Sequence, residues 1–378
     1  MTLPDIRLPA DLRPSDGRFG SGPSKIRQAS VDALAAAAPT YLGTSHRANT
    51  VKSMVGRLRA GLSELFHLPD GYEVALGNGG AALFWDMATF GLVEHRSQHL
   101  SFGQFSASFA AAARSAPHLD DPEVVESAPG THPVLRATPG VDAYALTHNE
   151  TSTGVAMPVR RPAGVSSDEA LVLVDATSAA GGMRVDPAEF DAYYFAPQKC
   201  FAADGGLWLA LLSPAAVERV GRIKASGRWT PALLDLGLAL ENSRLNQTYN
   251  TPGLATIFLM VDQVEWMLAG GGLGWAASRS EASAAVLYPW AEASDYATPF
   301  VADPVQRSPV VGTVDLDPSV DANQVAAVLR ANGIVDTESY RRLGRNQLRV
   351  AMYPAVEADD VAILTRAIDH VVDALHGG

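Results

Sequence analysis

Cysteine is almost absent from this 378-residue chain. The one thiol, Cys200, can close no internal disulfide and excludes any cysteine-built metal cluster, which fits a reducing cytosol. Positive charge is also short: the net charge of −12 speaks against a nucleic-acid partner, because phosphate backbones are bound by basic surface. No run of about 18 apolar residues occurs, so no membrane span is expected. Residues 1–18 alternate prolines with charges and lack the apolar core of a secretion signal, so the expected location is the cytoplasm. There is no internal repeat and no low-complexity tract, and no metal is expected.

What is present is ordinary for a compact enzyme: 47% hydrophobic and 19% charged residues, with 33 Gly and 24 Pro. A single hydrophobic core usually stops growing below this length, so two structural parts are expected. Val51, Met54, Val55, Leu58, Leu62, Leu65 and Phe66 recur at helical spacing. Strands are expected over 72–76, 143–147, 171–174, 192–195 and 207–212, each short, mostly apolar and closed by polar or glycine residues, as suits a sheet buried on both faces. Glycines over 270–274 interrupt the apolar stretch 254–268 and mark the expected boundary between a large part, 17–268, and a small one made of 1–16 and 269–378. The small part continues the α/β pattern with a helix over 325–331, a strand over 348–352 and a last helix carrying Val361, Leu364, Ile368, Val371, Val372 and Leu375 on one face. The two parts would meet in a cleft.

The apolar run Leu171 to Asp175 delivers a carboxylate at the carboxyl end of a strand, where ligands bind in open α/β sheets. A further strand ends in Ala196-Pro197-Gln198-Lys199, so that Lys199 and Asp175 could face one pocket. Pyridoxal 5′-phosphate (PLP) chemistry needs this pair: an amine to form the Schiff base and a carboxylate to keep the pyridine nitrogen protonated. The plainer reading is an exposed lysine and a helix-capping aspartate. Gly77-Asn78-Gly79-Gly80-Ala81-Ala82, between strand and helix, suits an anion held by backbone N–H groups. It also matches the dinucleotide fingerprint of NAD(P)-dependent oxidoreductases, although Glu94, the acidic residue that this rival needs, reads as the end of a helix. The turn Asn149 to Gly154 offers hydroxyls and amides to a polar ring substituent. Asn250-Thr251-Pro252 reads as a helix start, with Thr251 as cap and Pro252 first in the helix. Arg47, in Thr44-Ser45-His46-Arg47, could hold a carboxylate or simply be exposed.

Taken in order along nearly the whole chain, these segments resemble the phosphoserine aminotransferase family: Gly20 to Ser24, Ser45-His46-Arg47, the glycine loop, Asn149-Glu150-Thr151, Val174-Asp175, Gln198-Lys199, Asn250-Thr251-Pro252 and Leu348 to Tyr353. The resemblance implies the PLP-dependent aminotransferase fold type I, with a large domain built on a mainly parallel seven-stranded sheet and a smaller α/β domain. It also implies a homodimer with shared active sites. In that frame Lys199 bonds the cofactor, Asp175 pairs with its ring nitrogen, Thr151 with its ring hydroxyl, and Phe105 lies over the ring. The phosphate would be held by Gln198, by backbone N–H groups of Ala81 and Ala82, and by Asn250 and Thr251 of the partner subunit. His46, Arg47, Arg342 and Arg349 would contact the substrate, with Arg47 and Arg349 on its carboxylates. Two departures stand out. The family often has an arginine where this chain has Ala82, and its His-Arg pair for the substrate phosphate has no clean match in Ser339-Tyr340-Arg341-Arg342-Leu343-Gly344-Arg345. The implied reaction moves an amino group between glutamate and 3-phosphohydroxypyruvate, giving phosphoserine and 2-oxoglutarate, with 4-phosphohydroxythreonine as a further substrate. The cluster Arg341, Arg342 and Arg345 favours this over a serine– or alanine–glyoxylate aminotransferase. Cys200, beside Lys199, is read as packing, and not as the nucleophile of a desulfurase.

Overall fold

The computed structural model describes residues 4–376. Twelve strands and ten α-helices build two sheets and a short hairpin. The central sheet contains β1 (Glu73–Asn78), β2 (Ser97–Ser101), β3 (Glu123–Glu126), β4 (Ala143–Thr147), β7 (Leu171–Asp175), β8 (Ala192–Phe195) and β9 (Leu207–Leu212), in the order β1-β9-β8-β7-β4-β2-β3. The hairpin is β5 (Asn149–Glu150) with β6 (Val155–Ala156). Only β9 is reversed; the other central strands run one way.

Alternation along β7 shows why this sheet must be covered twice. Val172 and Val174 pack on one face with residues of α2 (Asn49–Leu65) and α7 (Leu254–Gly270). Leu171 and Leu173 pack on the other with α3 (Ala81–Gly91), α5 (Pro214–Ala225) and α6 (Leu236–Arg244). The helix read from Val51 to Phe66 ends at Leu65, with Phe66 as its C-cap, and every one of its named apolar residues is buried. Two central strands escape the apolar rule. Ser97–Ser101 reads polar yet is wholly buried, and its side chains find part of their partners inside the fold: Ser97 Oγ meets His99 Nε2 at 2.9 Å and Gln98 donates to Thr138 Oγ1 at 2.9 Å, while Gln98 Oε1 and His99 Nδ1 have no partner. The other is Glu123–Glu126 at the sheet edge.

A second core forms around the antiparallel sheet β10 (Ala297–Pro299), β11 (Val311–Leu316) and β12 (Gln347–Ala351), covered by α9 (Ala322–Ala331) and α10 (Ala358–His376). Leu8 and Phe19 from the start of the chain join it. The chain bends by 92° between α7 and α8 (Gly272–Ala293). Gly271 makes that bend at φ 123, a conformation that side-chain-bearing residues rarely adopt. Leu273 and Ala276 of α8 pack in the first core, Leu287 and Ala291 in the second. Among the described residues no single helix is long and apolar enough to cross a membrane.

The rival reading and one expectation fail. The glycine loop follows β1, an edge strand whose one sheet partner is the antiparallel β9, whereas a dinucleotide site needs it after an inner parallel strand. Glu94 lies in the turn beyond α3 and pairs with Arg219 and Arg222, so the oxidoreductase reading is set aside. Nor do Thr251 and Pro252 start the helix: α7 begins at Leu254 behind Gly253. The Thr251 carbonyl accepts from Asn78 at 2.9 Å and its hydroxyl meets His46 Nδ1 at 3.1 Å, so tertiary partners take the groups that a cap would use.

Gly77 lies opposite Trp208 in the β1–β9 ladder, and a Cβ there would fall 2.5 Å from the indole. Gly77→Ala is therefore expected to lower unfolding free energy by about 1–3 kcal/mol. Urea titration of the apoprotein reads this directly; an unmoved midpoint would contradict the packing.

Candidate active site

The carboxyl ends of β4, β7 and β8 converge on one depression, because parallel strands all deliver their last residues to the same edge. Asp175 closes β7, in register with Thr147 of β4 and Tyr194 of β8. Its carboxylate accepts from the Trp85 indole N–H at 3.0 Å and from the Thr177 backbone N–H at 3.0 Å and hydroxyl at 2.6 Å. Four residues past β8, Lys199 is only 7% exposed, and its ammonium donates to Thr151 Oγ1 at 2.9 Å. Burial of this amine, followed by the nearby positive charge of Arg349, brings its pKa down to about 8, with Asp175, Glu150 and Cys200 opposing the shift. Thr151 in turn donates to Ser178 Oγ at 2.8 Å, which also receives the Asn149 amide at 2.8 Å.

A cavity of about 320 Å³ opens here, and it brings together Ala81, Ala82, Phe105, Thr151, Asp175, Gln198 and Lys199. Ala81 and Ala82 are the first residues of α3, whose N-cap Gly80 has no side chain to offer, so the helix end is open to an anion. The Phe105 ring centre lies 5.4 Å from Lys199 Nζ and 5.9 Å from the Tyr340 ring. Buried Gln198 Oε1 and Asn149 Oδ1 have no protein partner. A polar aromatic ligand with an anionic arm fits this donor set: carboxylate, amine, hydroxyl and open helix end surround one space. PLP has those features, so the residues present fit the cofactor.

Beside it lies a cleft of about 590 Å³, sharing Gly22, whose Cβ would fall 2.9 Å from Lys199 Cε. Arg349 reaches it from β12, with Nη1 3.4 Å from the Thr151 carbonyl and a buried, unpartnered Nε. Burial holds its pKa below the usual guanidinium value. Arg330 also lines the cleft but is taken by Asp336 and Glu338.

The structure does not bring every expected residue to this place. Arg341 lines the cleft where Arg342 was expected, and Arg345 pairs with Asp315 over the Phe300 ring. Residues 341–343 form a turn, which sends consecutive side chains in different directions. His46, Asn250 and Thr251 form a separate cluster around Asn78, and with exposed Arg47 they stay outside the cavity of their own chain. Trp85 and Ser178 lie outside the sequence motifs, and Asn78 enters them only as part of the glycine loop. Trp85 had a usable signal, since it falls one helical turn after Ala81 and Ala82. Cys200 is buried, and its thiol donates to the Ser178 carbonyl at 3.3 Å. Among the described residues no group of three His, Cys, Asp or Glu side chains could hold a metal ion.

Residues 94–364 match the class-V aminotransferase family. A phosphoserine aminotransferase from Nocardioides sp. is 62% identical over 98% of this chain and 99% of its own length. A putative phosphoserine aminotransferase from Mycobacterium avium is 60% identical over 99% and 100%. The crystal structure of a phosphoserine aminotransferase from Cytophaga hutchinsonii superimposes with a TM-score of 0.83 at 25% identity, covering 94% of this chain and 99% of that one. The chain belongs to the class-V aminotransferases, within the phosphoserine aminotransferase family, and is a PLP-dependent transaminase.

Proposed function

We propose that the chain reversibly transfers the amino group between L-glutamate and 3-phosphohydroxypyruvate, giving O-phospho-L-serine and 2-oxoglutarate, with 4-phosphohydroxythreonine as a second substrate. The observation that carries this reading is the cleft beside Lys199, which Arg349 and Arg341 line while the carboxylates there, Asp336 and Glu338, pair with Arg330. Two such cations suit a small amino acid with a second anionic group.

PLP, when bound, supplies an electron sink for the carbanion left at the substrate's Cα. The protein does the rest. Asp175, fixed by Trp85 and Thr177, would present its charge to the ring nitrogen. Thr151 holds the Lys199 amine in place, and with PLP bound that amine would take the substrate's Cα proton as a base and deliver it, as an acid, to the cofactor's C4′. Ala81, Ala82 and Gln198 would hold the cofactor's phosphate, and Phe105 would cover its ring from water. Arg349 holds the substrate carboxylate and Arg341 its phosphate. The lowered pKa of Lys199 suits this work, because a larger share of the amine is neutral near pH 7 than for an ordinary lysine.

A homodimer is part of the proposal, with His46, Arg47, Asn250 and Thr251 serving the partner's site. Their separation from their own cavity supports it, as do exposed Trp229 (76%), Leu245 (63%) and Tyr249 (47%) in the preceding segment. The division into 17–268 and 1–16 with 269–378, the cytoplasmic location and a place in serine and vitamin B6 synthesis complete the reading.

Lys199→Ala should lower transamination by at least about a hundredfold; normal turnover in this variant would overturn the assignment. The rate at which apoprotein combines with PLP should rise with pH through about 8, since only the neutral amine attacks. Arg349→Gln should move that limb to higher pH by removing a like charge, as stopped-flow absorbance can follow. In half-reactions at equal concentration, phosphoserine should react in preference to serine and alanine. Arg341→Ala should raise the KM for phosphoserine roughly tenfold. A wild-type preference for serine or alanine would remove the phosphorylated substrate and leave a glyoxylate-type aminotransferase.

A further inference from the structure

Glu150 has no role in the reaction as described, yet it is fully buried, at 0% exposure, between two residues that do. One carboxylate oxygen accepts from the Phe105 backbone N–H at 3.1 Å, the Ser106 N–H at 2.9 Å and the Ser106 hydroxyl at 2.9 Å. The other accepts from the Ser152 N–H at 3.1 Å and the Ser152 hydroxyl at 2.7 Å. Phe105 and Ser106 begin α4 (Gln104–Ser115), whose N-cap, Gly103, has no side chain to meet those orphan N–H groups. Glu150 meets them from another segment, and Gly103 makes room for it: a Cβ there would fall 2.3 Å from Glu150 Cγ. Ser152 Oγ completes the join by accepting from Gln104 N–H at 3.0 Å. The turn that follows Glu150 is also held from the far side, where Thr313 donates to the Thr153 carbonyl at 2.8 Å and Arg349 approaches the Thr151 carbonyl.

We propose that Glu150 is a positioning residue: its carboxylate clamps the start of α4 to the 150–152 turn, and so sets Phe105 and Thr151 at a fixed separation on either side of Lys199. The clamp has to be an anion. Every partner of its two oxygens is a donor, and a carboxamide in either orientation would point N–H groups at backbone N–H groups. The charge also acts on Lys199 directly. Four groups face that amine: Arg349 from β12, Asp175 from β7, Glu150 from β5 and the adjacent Cys200. Removing the Glu150 charge leaves Arg349 opposed by Asp175 alone among carboxylates, so the amine becomes easier to deprotonate.

The inference rests on Lys199 being the residue that bonds PLP, and the test separates the two. Apoprotein is titrated with PLP while tryptophan fluorescence is followed, and the pH limb of PLP association is measured. Glu150→Gln should bind roughly tenfold more weakly and shift the limb to lower pH. Asp142→Asn is the structural control. It strips a carboxylate that accepts three backbone N–H groups, from Glu94, His95 and Arg96, at the opposite end of β4, so it should lower thermal stability and shift neither reading. Ser152→Ala removes one arm of the clamp, should weaken PLP binding several-fold, and decides the question if Glu150→Gln does not fold. Wild-type affinity and limb in Glu150→Gln, or wild-type affinity in Ser152→Ala, would overturn the positioning role. Failure of the wild-type protein to bind PLP would instead overturn the reading of Lys199.

Discussion

A primary amine held almost out of solvent at the carboxyl edge of a parallel sheet is the constraint around which the site is arranged. Desolvation disfavours its charge, and the guanidinium from β12 disfavours it further. Left alone, such a group would be pushed out to water or would destabilise the fold. It is retained because Thr151 Oγ1 accepts a hydrogen bond from it at 2.9 Å and because the charges of Asp175 and Glu150 offset part of the penalty. Those partners need support of their own. Trp85 and Thr177 hold Asp175, while Ser178 joins Thr151 to Asn149. The site is thus the visible face of a buried polar network, in which each member is placed by the hydrogen bonds of the next.

The two sheets divide the labour. The central sheet supplies the rigid platform: β4, β7 and β8 end together, and the open N-terminus of α3 faces the same space. The second sheet supplies cations that look into the neighbouring cleft, Arg349 from β12 and Arg341 from the turn before it. Gly22 stands where the two cavities meet, with no side chain to separate them. Cofactor and substrate can therefore be recognised by different parts of the chain and still touch.

Much of this was legible in the sequence. An apolar strand that ends in a charged residue has few structural uses, so Asp175 and Lys199 stood out against their surroundings. The strands over 143–147, 192–195 and 207–212 are found with those limits, because burial on both faces imposes an unbroken apolar run. What stayed hidden depended on partners distant in sequence. Ser97–Ser101 is a central strand whose polar side chains find their partners only in the fold, as Gln98 finds Thr138. Thr251 obeyed the local rule for a cap until Asn78 and His46 claimed its carbonyl and hydroxyl. The choice between Arg341 and Arg342 turns on the path of a three-residue turn, which no spacing encodes.

The position of β1 at the rim of the central sheet, which ruled out a dinucleotide site, also leaves a row of backbone groups open to any passing strand. That row is blunted by side chains: Leu76 N–H is taken by Ser243 Oγ at 3.1 Å and the Val74 carbonyl by Arg59 at 3.0 Å. The opposite rim, β3, begins and ends in glutamate. Rims finished in this way are poorer templates for adding further strands, at the very edge from which the glycine loop departs.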